Sequence, residues 1–206
     1  MSPATKERKK SFSSFNFKEA CKYLQITELS RWTIESAPVP ISDFFQQRLE
    51  RLQIFDLEDF EVSRTLLIDA ICEEGLLTTK RLKVWKGAYL EGRDVCGNAD
   101  YLIAMRRAYL EAPFACVIEA KRDDFQQGAA QCLVEMQVCQ WANLQLGKSM
   151  NIYGIVTNGE GWKFYRLATN GEVSETLTSG TDEMPSLLGR TRTFFELCEQ
   201  NLTVSS

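Results

Sequence analysis

An α/β fold, a central mixed sheet flanked by helices, is predicted by three features of the sequence. Apolar residues first recur at helical spacing over 58–74, where Phe60, Leu67, Ile68 and Ile71 share a face. The pattern then alternates and turns rich in β-formers over 81–90. Finally, residues 114–118 (Phe-Ala-Cys-Val-Ile) are apolar on both faces, as a central strand covered by helices on each side must be.

The elements follow in order. Residues 1–14 are polar, basic and Ser-rich, and are expected to form a disordered tail, with the basic run at 6–10 solvated. Residues 15–55 read as a helical N-terminal extension. Asn16 with Glu19 forms a capping box for a helix through Leu24, Pro38 and Pro40 mark a linker, and Ser42 caps a helix over 43–52. Residues 56–206 read as the α/β domain proper. Its first helix spans 58–74 and stops at Gly75. Strands are expected at 81–90, 100–106 and 114–121, with Gly92, Gly97 and Asn98 marking the turn between the first two. A helix over 123–144 leads to a buried strand at 152–157. Asn158–Gly161 then turns the chain back into a strand at 162–168, and a further strand at 173–177 precedes a last helix over 185–201.

Composition narrows the chemistry. The 206 residues suit one domain of this class, and 44% hydrophobic content supports a sizeable core. There is no histidine, which excludes Ser-His-Asp and Cys-His catalysis and imidazole metal ligands. The seven cysteines include no C-x-x-C pair and are expected to be reduced, mostly buried thiols. No run approaches the ~20 apolar residues of a membrane span, and the N-terminus lacks an apolar leader core, so a cytoplasmic location is expected. A net charge of −4 argues against indiscriminate coating of nucleic acid but allows a local basic groove.

One segment concentrates charge at the end of a buried strand: Val117-Ile118-Glu119-Ala120-Lys121. Residues two apart in a strand share a face, so Glu119 and Lys121 project together. Charges there are costly unless they pair or bind something. If the preceding strand pairs as a hairpin, Asp100 comes beside Glu119. Two adjacent carboxylates repel, and a hard cation such as Mg²⁺ or Mn²⁺ between them reverses that cost. The Ala120 carbonyl could add a ligand. The structural alternative is a Glu–Lys pair that merely closes a sheet end.

Gly97-Asn98-Ala99-Asp100-Tyr101 followed by Val117-Ile118-Glu119-Ala120-Lys121 resembles the signature of the PD-(D/E)XK nuclease superfamily, with Ala99 standing where the signature has proline. Residues 61–69 (Glu-Val-Ser-Arg-Thr-Leu-Leu-Ile-Asp) resemble the first-helix motif in the N-terminal nuclease domain of type I restriction subunits. Gln131 in Gly-Ala-Ala-Gln resembles that branch's helix glutamine, and Thr157-Asn158-Gly159 with Trp162 and Phe164 resembles a further segment of it. The resemblance covers about residues 57–168. It implies a restriction-endonuclease-like core and a Mg²⁺- or Mn²⁺-dependent nuclease, in which Asp100, Glu119, Ala120 and Glu61 hold the metal. Lys121 would assist the attacking water, and Gln131 would support the site. The implied partner is nucleic acid, with DNA the first candidate and a homodimer compatible with double-strand cutting. A nuclease-fold binding or regulatory module without turnover is the alternative.

Other features are read as structural. Gln127, Gln131 and Glu135 share a helix face, which is either an exposed polar stripe or the border of the cleft. Lys80, Arg81, Lys83, Lys86, Arg106, Arg107 and Arg122 are expected around the active edge. Arg64, one turn from Glu61, could fix it. Glu73 and Glu74 are expected to face solvent. Trp85, Trp141 and Trp162 are expected to serve packing rather than base stacking.

Overall fold

The structure, a computed structural model, describes residues 9–57, 61–121 and 124–204, with the side chains of Glu61 and Val204 outside that description. The expected start of the first long helix at 58–60 and Arg122 also lie outside it.

The described residues form a mixed sheet of nine strands. From the N-terminal stretch come β1 (Lys10–Ser11), α1 (Phe17–Tyr23), β2 (Leu29–Arg31) and α2 (Asp43–Leu52). Then follow α3 (Glu61–Gly75), β3 (Leu82–Glu91), β4 (Val95–Met105), β5 (Phe114–Ala120) and α4 (Phe125–Gln145). The chain closes with β6 (Ile152–Thr157), β7 (Gly161–Leu167), β8 (Val173–Glu175), β9 (Ser179–Gly180) and α5 (Met184–Val204). The order across the sheet is β1-β4-β5-β6-β7-β8-β2, with β3 also on β4 and β9 on β7. β5 and β6 run parallel, joined by α4 as the crossover helix.

The capping expectations hold locally. Asn16 and Glu19 form the reciprocal box at α1, and the Ser42 hydroxyl accepts the Phe45 N–H at 3.1 Å. The same hydroxyl donates to Glu74, which is therefore buried rather than solvent-facing, whereas Glu73 pairs with Arg48 outside. Asp124 caps α4 by accepting the Gln127 N–H, so that helix starts at Phe125. All seven cysteines are free thiols.

Three readings change. Lys10 and Ser11, within the segment expected to be a disordered tail, pair in parallel with Val95 and Cys96. The physical reason is Phe12, which is buried at 1% exposure against Gly97. A Cβ at Gly97 would lie 2.6 Å from the Phe12 ring, so that glycine serves close packing inside β4 rather than a turn. The actual turn is at 92–94, closed by Gly92 N–H donating to Val95 O at 2.9 Å. The N-terminal extension is also more than helical: β2 pairs in parallel with β8, so one sheet takes strands from both sides of residue 55.

The helices divide between the faces. Phe194 of α5 meets Tyr153 and Phe164 from β6 and β7 at centroid distances of 5.5 and 5.0 Å. Alternate residues point the other way, where a Cβ at Gly154 would strike Cys132 and Met136 of α4. Each fully buried large apolar side chain contributes roughly 1.5–3 kcal/mol, and Trp162, Phe164, Phe194 and Phe195 are all at 0% exposure. No helix among the described residues is long and apolar enough to cross a membrane.

A carboxylate cluster where two strands part

β4 and β5 pair from Ala104↔Phe114 to Tyr101↔Ile118, and there the ladder ends. Continuing the register places Asp100 opposite Glu119. Where backbone pairing stops, the Asp100 side chain takes over as acceptor: Ala120 N–H donates to Asp100 Oδ2 at 2.9 Å. On the other flank, Ala120 pairs with Thr157, and Lys121 N–H donates to Thr157 O at 2.9 Å. The end of β5 is thus held on both sides.

Glu119 faces α4, since its register partner Val156 lies against Gly128 of that helix. The carboxylate is at 0% exposure, and Lys121 Nζ stands 2.8 Å from its Oε1. That contact is an ion pair without hydrogen-bond alignment, and neither carboxylate oxygen has a hydrogen-bond partner among the described residues. Burial, then the Asp100 charge, pushes the Glu119 carboxyl up to about 8, with Lys121 opposing. Asp100 and Lys121 are only partly buried, so they carry the exposure of the site. Across β4 from Asp100 stands Gly87, at φ +64° with nothing near its missing Cβ, which leaves that flank open.

Gln131 lies one helical turn into α4 beyond Gly128, and it brings a residue that sequence reasoning ranked low. Its Nε2 donates to Glu135 Oε1 at 3.0 Å. Glu135 is at 0% exposure, and its carboxyl is raised well above the usual range by burial first and by the Glu119 charge second. Glu135 Oε2 and Gln131 Oε1 have no hydrogen-bond partner among the described residues. Gln131 and Glu135 of the shared stripe therefore face inward, while Gln127 at its head is half-buried, and the signal for the stripe was the i, i+4 spacing itself.

Glu61 opens α3, but its side chain lies outside the described residues, as does any contact with Arg64. The first turn of α3 does reach the same sheet end. A Cβ on Gly159, which sits at φ +92°, would fall 2.7 Å from Arg64 Cγ. The basic residues are arranged otherwise than expected. Lys83 donates to Arg107 O, and Arg106 N–H donates to Arg81 O, so these residues gather beyond the Met105 end of β4. Five residues at ~3.4 Å each separate that end from Asp100. Lys86 is engaged by Asp69 of α3 at 2.8 Å.

Hard-cation chemistry suits oxygen donors of this kind. Mg²⁺ is commonly held by one or two carboxylates with water completing its shell. The orphaned oxygen of Glu119 beside Asp100 fits that requirement, and the Ala120 carbonyl is within the same strand end. Among the described residues no group of three or more His, Cys, Asp or Glu side chains is placed to hold an ion. The chain matches no protein-family model and no curated protein.

Proposed function

We propose that the protein is a Mg²⁺- or Mn²⁺-dependent nuclease of the PD-(D/E)XK type, hydrolysing phosphodiester bonds of nucleic acid, with DNA the first candidate. The observation that carries this reading is a fully buried Glu119 whose carboxylate has no hydrogen-bond partner among the described residues, held next to Asp100 at a strand end. A charge is not retained in such a place without something to offset it, and one lysine contact leaves it incompletely compensated. Asp100, Glu119, the Ala120 carbonyl and Glu61 would hold the metal, which when bound supplies a positive charge to the scissile phosphate and acidifies water. Lys121, tethered by Glu119 and partly exposed, would orient the attacking water and offset charge developing on the phosphate oxygens. Gln131, with Glu135 behind it, would fix the α4 wall of the site.

One observation favours the second reading, a binding or regulatory module on the same fold. Glu119 is sealed from solvent and already paired with Lys121, and no third acid side chain joins Asp100 and Glu119 to form a ligand group among the described residues. The same experiment separates the two. Calorimetric titration of Mg²⁺ and Mn²⁺ into wild type and Glu119→Ala, with gel assays on mixed DNA and RNA, should show metal binding and cleavage in wild type. Both should fall at least about a hundredfold in the variant. Wild type that binds no metal near millimolar concentration and cuts nothing rejects the enzyme and leaves the module.

A further inference from the structure

Beside the carboxylate cluster, on the other side of the first turns of α4, lies a cavity of about 340 Å³. That is within the size range of small-molecule sites. Phe17 of α1, Phe125 and Gln126 of α4, Lys163 and Tyr165 of β7, and Glu175 of β8 line it. Its distance from the site is set by one helix. Gly128, three residues after Phe125, would place a Cβ 3.1 Å from Lys121 Cγ and 2.8 Å from Val156. Lys163 is in turn the register partner of Val156. The cavity and the cluster are therefore separated by about one helix diameter, ~10 Å.

The chemistry of the wall is mixed in a particular way. Three aromatic rings supply flat apolar surface. Lys163 Nζ and Glu175 Oε2, 2.6 Å apart, place a donor and an acceptor side by side, and the exposed Gln126 amide carries one of each. A free phosphate is disfavoured by Glu175. A plain alkyl chain would use the rings but would make no hydrogen bond to the Lys163–Glu175 pair or to the Gln126 amide. A planar heterocycle with donors and acceptors on its edge uses both the rings and the polar groups.

We propose that this cavity holds one unpaired nucleobase of a nucleic-acid strand whose phosphodiester lies at the Asp100–Glu119 cluster. The inference rests on the nuclease reading and adds the form of the substrate: a single strand, or a strand with a base turned out of its stack. It also gives the N-terminal extension a purpose, because Phe17 of α1 supplies one wall.

The test is fluorescence anisotropy in EDTA, so that no cleavage occurs, with a labelled 12-nucleotide single strand as DNA and as RNA. The probes for comparison are its blunt duplex and the same strand made of abasic units. Wild type should bind one or both base-bearing single strands at least tenfold more tightly than the duplex or the abasic strand, the order that one base–aromatic stack supplies. Phe125→Ala should lose about tenfold on the base-bearing strand and nothing on the abasic strand. Gln126→Ala, at an exposed position, should lose severalfold and guards against a folding defect at Phe125. Equal binding of base-bearing and abasic strands by wild type, or duplex bound as tightly as single strand, overturns the proposal. So does an unchanged affinity in a folded Phe125→Ala. Metal-dependent duplex cleavage that survives any of these results would leave the nuclease reading standing without the base pocket. Base-dependent binding without cleavage would do the reverse.

Discussion

Two positions on α4, its middle and its last turn, treat buried polar groups in opposite ways. Near its C-terminal end Asn143, at 0% exposure, accepts the Phe114 N–H and donates to Phe114 O, both at 2.8 Å. It closes the start of β5 with every demand of the strand met. Two turns earlier Glu135, equally buried, holds one hydrogen bond from Gln131 and leaves an oxygen without a hydrogen-bond partner among the described residues, next to the equally unsatisfied Glu119. The same helix thus clamps one end of β5 for stability and lays an uncompensated acid against the other. Buried polar groups are ordinarily satisfied, so the unsatisfied end is the one whose cost asks for a functional reason. The far face of the sheet supports that contrast, since Thr191 of α5 is also at 0% exposure yet donates to Leu187 O at 2.8 Å.

The largest expected effect is the pH dependence of stability at the acidic end. Burial, then Asp100, raises the folded Glu119 carboxyl to about 8 from its ordinary 4.5. A group with a raised folded pKa binds its proton more tightly when folded. Stability is therefore greatest below about 4.5, falls as pH rises toward 8, and levels off above it, a decline of about 5 kcal/mol from this group. Glu135 is shifted in the same direction and adds to the slope. Urea denaturation between pH 5 and 8 in EDTA should show wild type losing stability with pH and Glu119→Gln losing several kcal/mol less. Parallel pH profiles for the two proteins would mean that the carboxylate is not strained by its surroundings. Millimolar Mn²⁺ at pH 8 should return stability to wild type but not to Glu119→Gln, by preferential binding to the folded state.

At the satisfied end the prediction concerns folding alone. Asn143→Ala strands the part-buried N–H and carbonyl of Phe114 and should destabilise the protein by about 3 kcal/mol, with the same pH profile as wild type. A loss under 1 kcal/mol would show that the clamp is not what fixes the start of β5. A changed pH profile would couple the two ends and erase the contrast between them.

Much of this was legible in the sequence, and the reasons are local. Phe114–Ile118 is apolar on both faces, so its place as a covered central strand followed from period alone. The Glu119–Lys121 spacing then fixed two charges on one face, and one hairpin sufficed to bring Asp100 to them. β1 and β2 were not legible because strands of two and three residues carry no period, and they exist only through their partners β4 and β8. Gly97 read as a turn because nothing in its neighbourhood announces that Phe12, 85 residues earlier, lies on it. Glu135 read as a surface residue because polar stripes on helices ordinarily face water. Here α1 and the Phe12–Ser14 turn cover the outer side of α4, with Gln127 Nε2 donating to the carbonyls of Ser13 and Phe15 at 3.1 and 3.0 Å. The inward turn of the stripe is a consequence of that distant cover.

The smallest expected change in stability belongs to Glu135→Gln, and it sharpens the contrast most. Burial and the Glu119 charge hold the Glu135 carboxyl well above its ordinary range, which favours its uncharged form, and glutamine keeps that shape without a charge. Removing it should shift stability at pH 7 by no more than about 1 kcal/mol, against about three for Asn143→Ala, although both side chains are fully buried on one helix. What should change is the site: the carboxyl behind Gln131 becomes an amide that cannot release a proton when a cation binds beside Glu119. Mn²⁺ affinity measured by calorimetry should then fall by about tenfold or more, the usual consequence of altering the groups behind a metal ligand. If Glu135→Gln instead destabilises as much as Asn143→Ala while Mn²⁺ binding is untouched, Glu135 is an ordinary packing residue and the two positions on α4 do the same job.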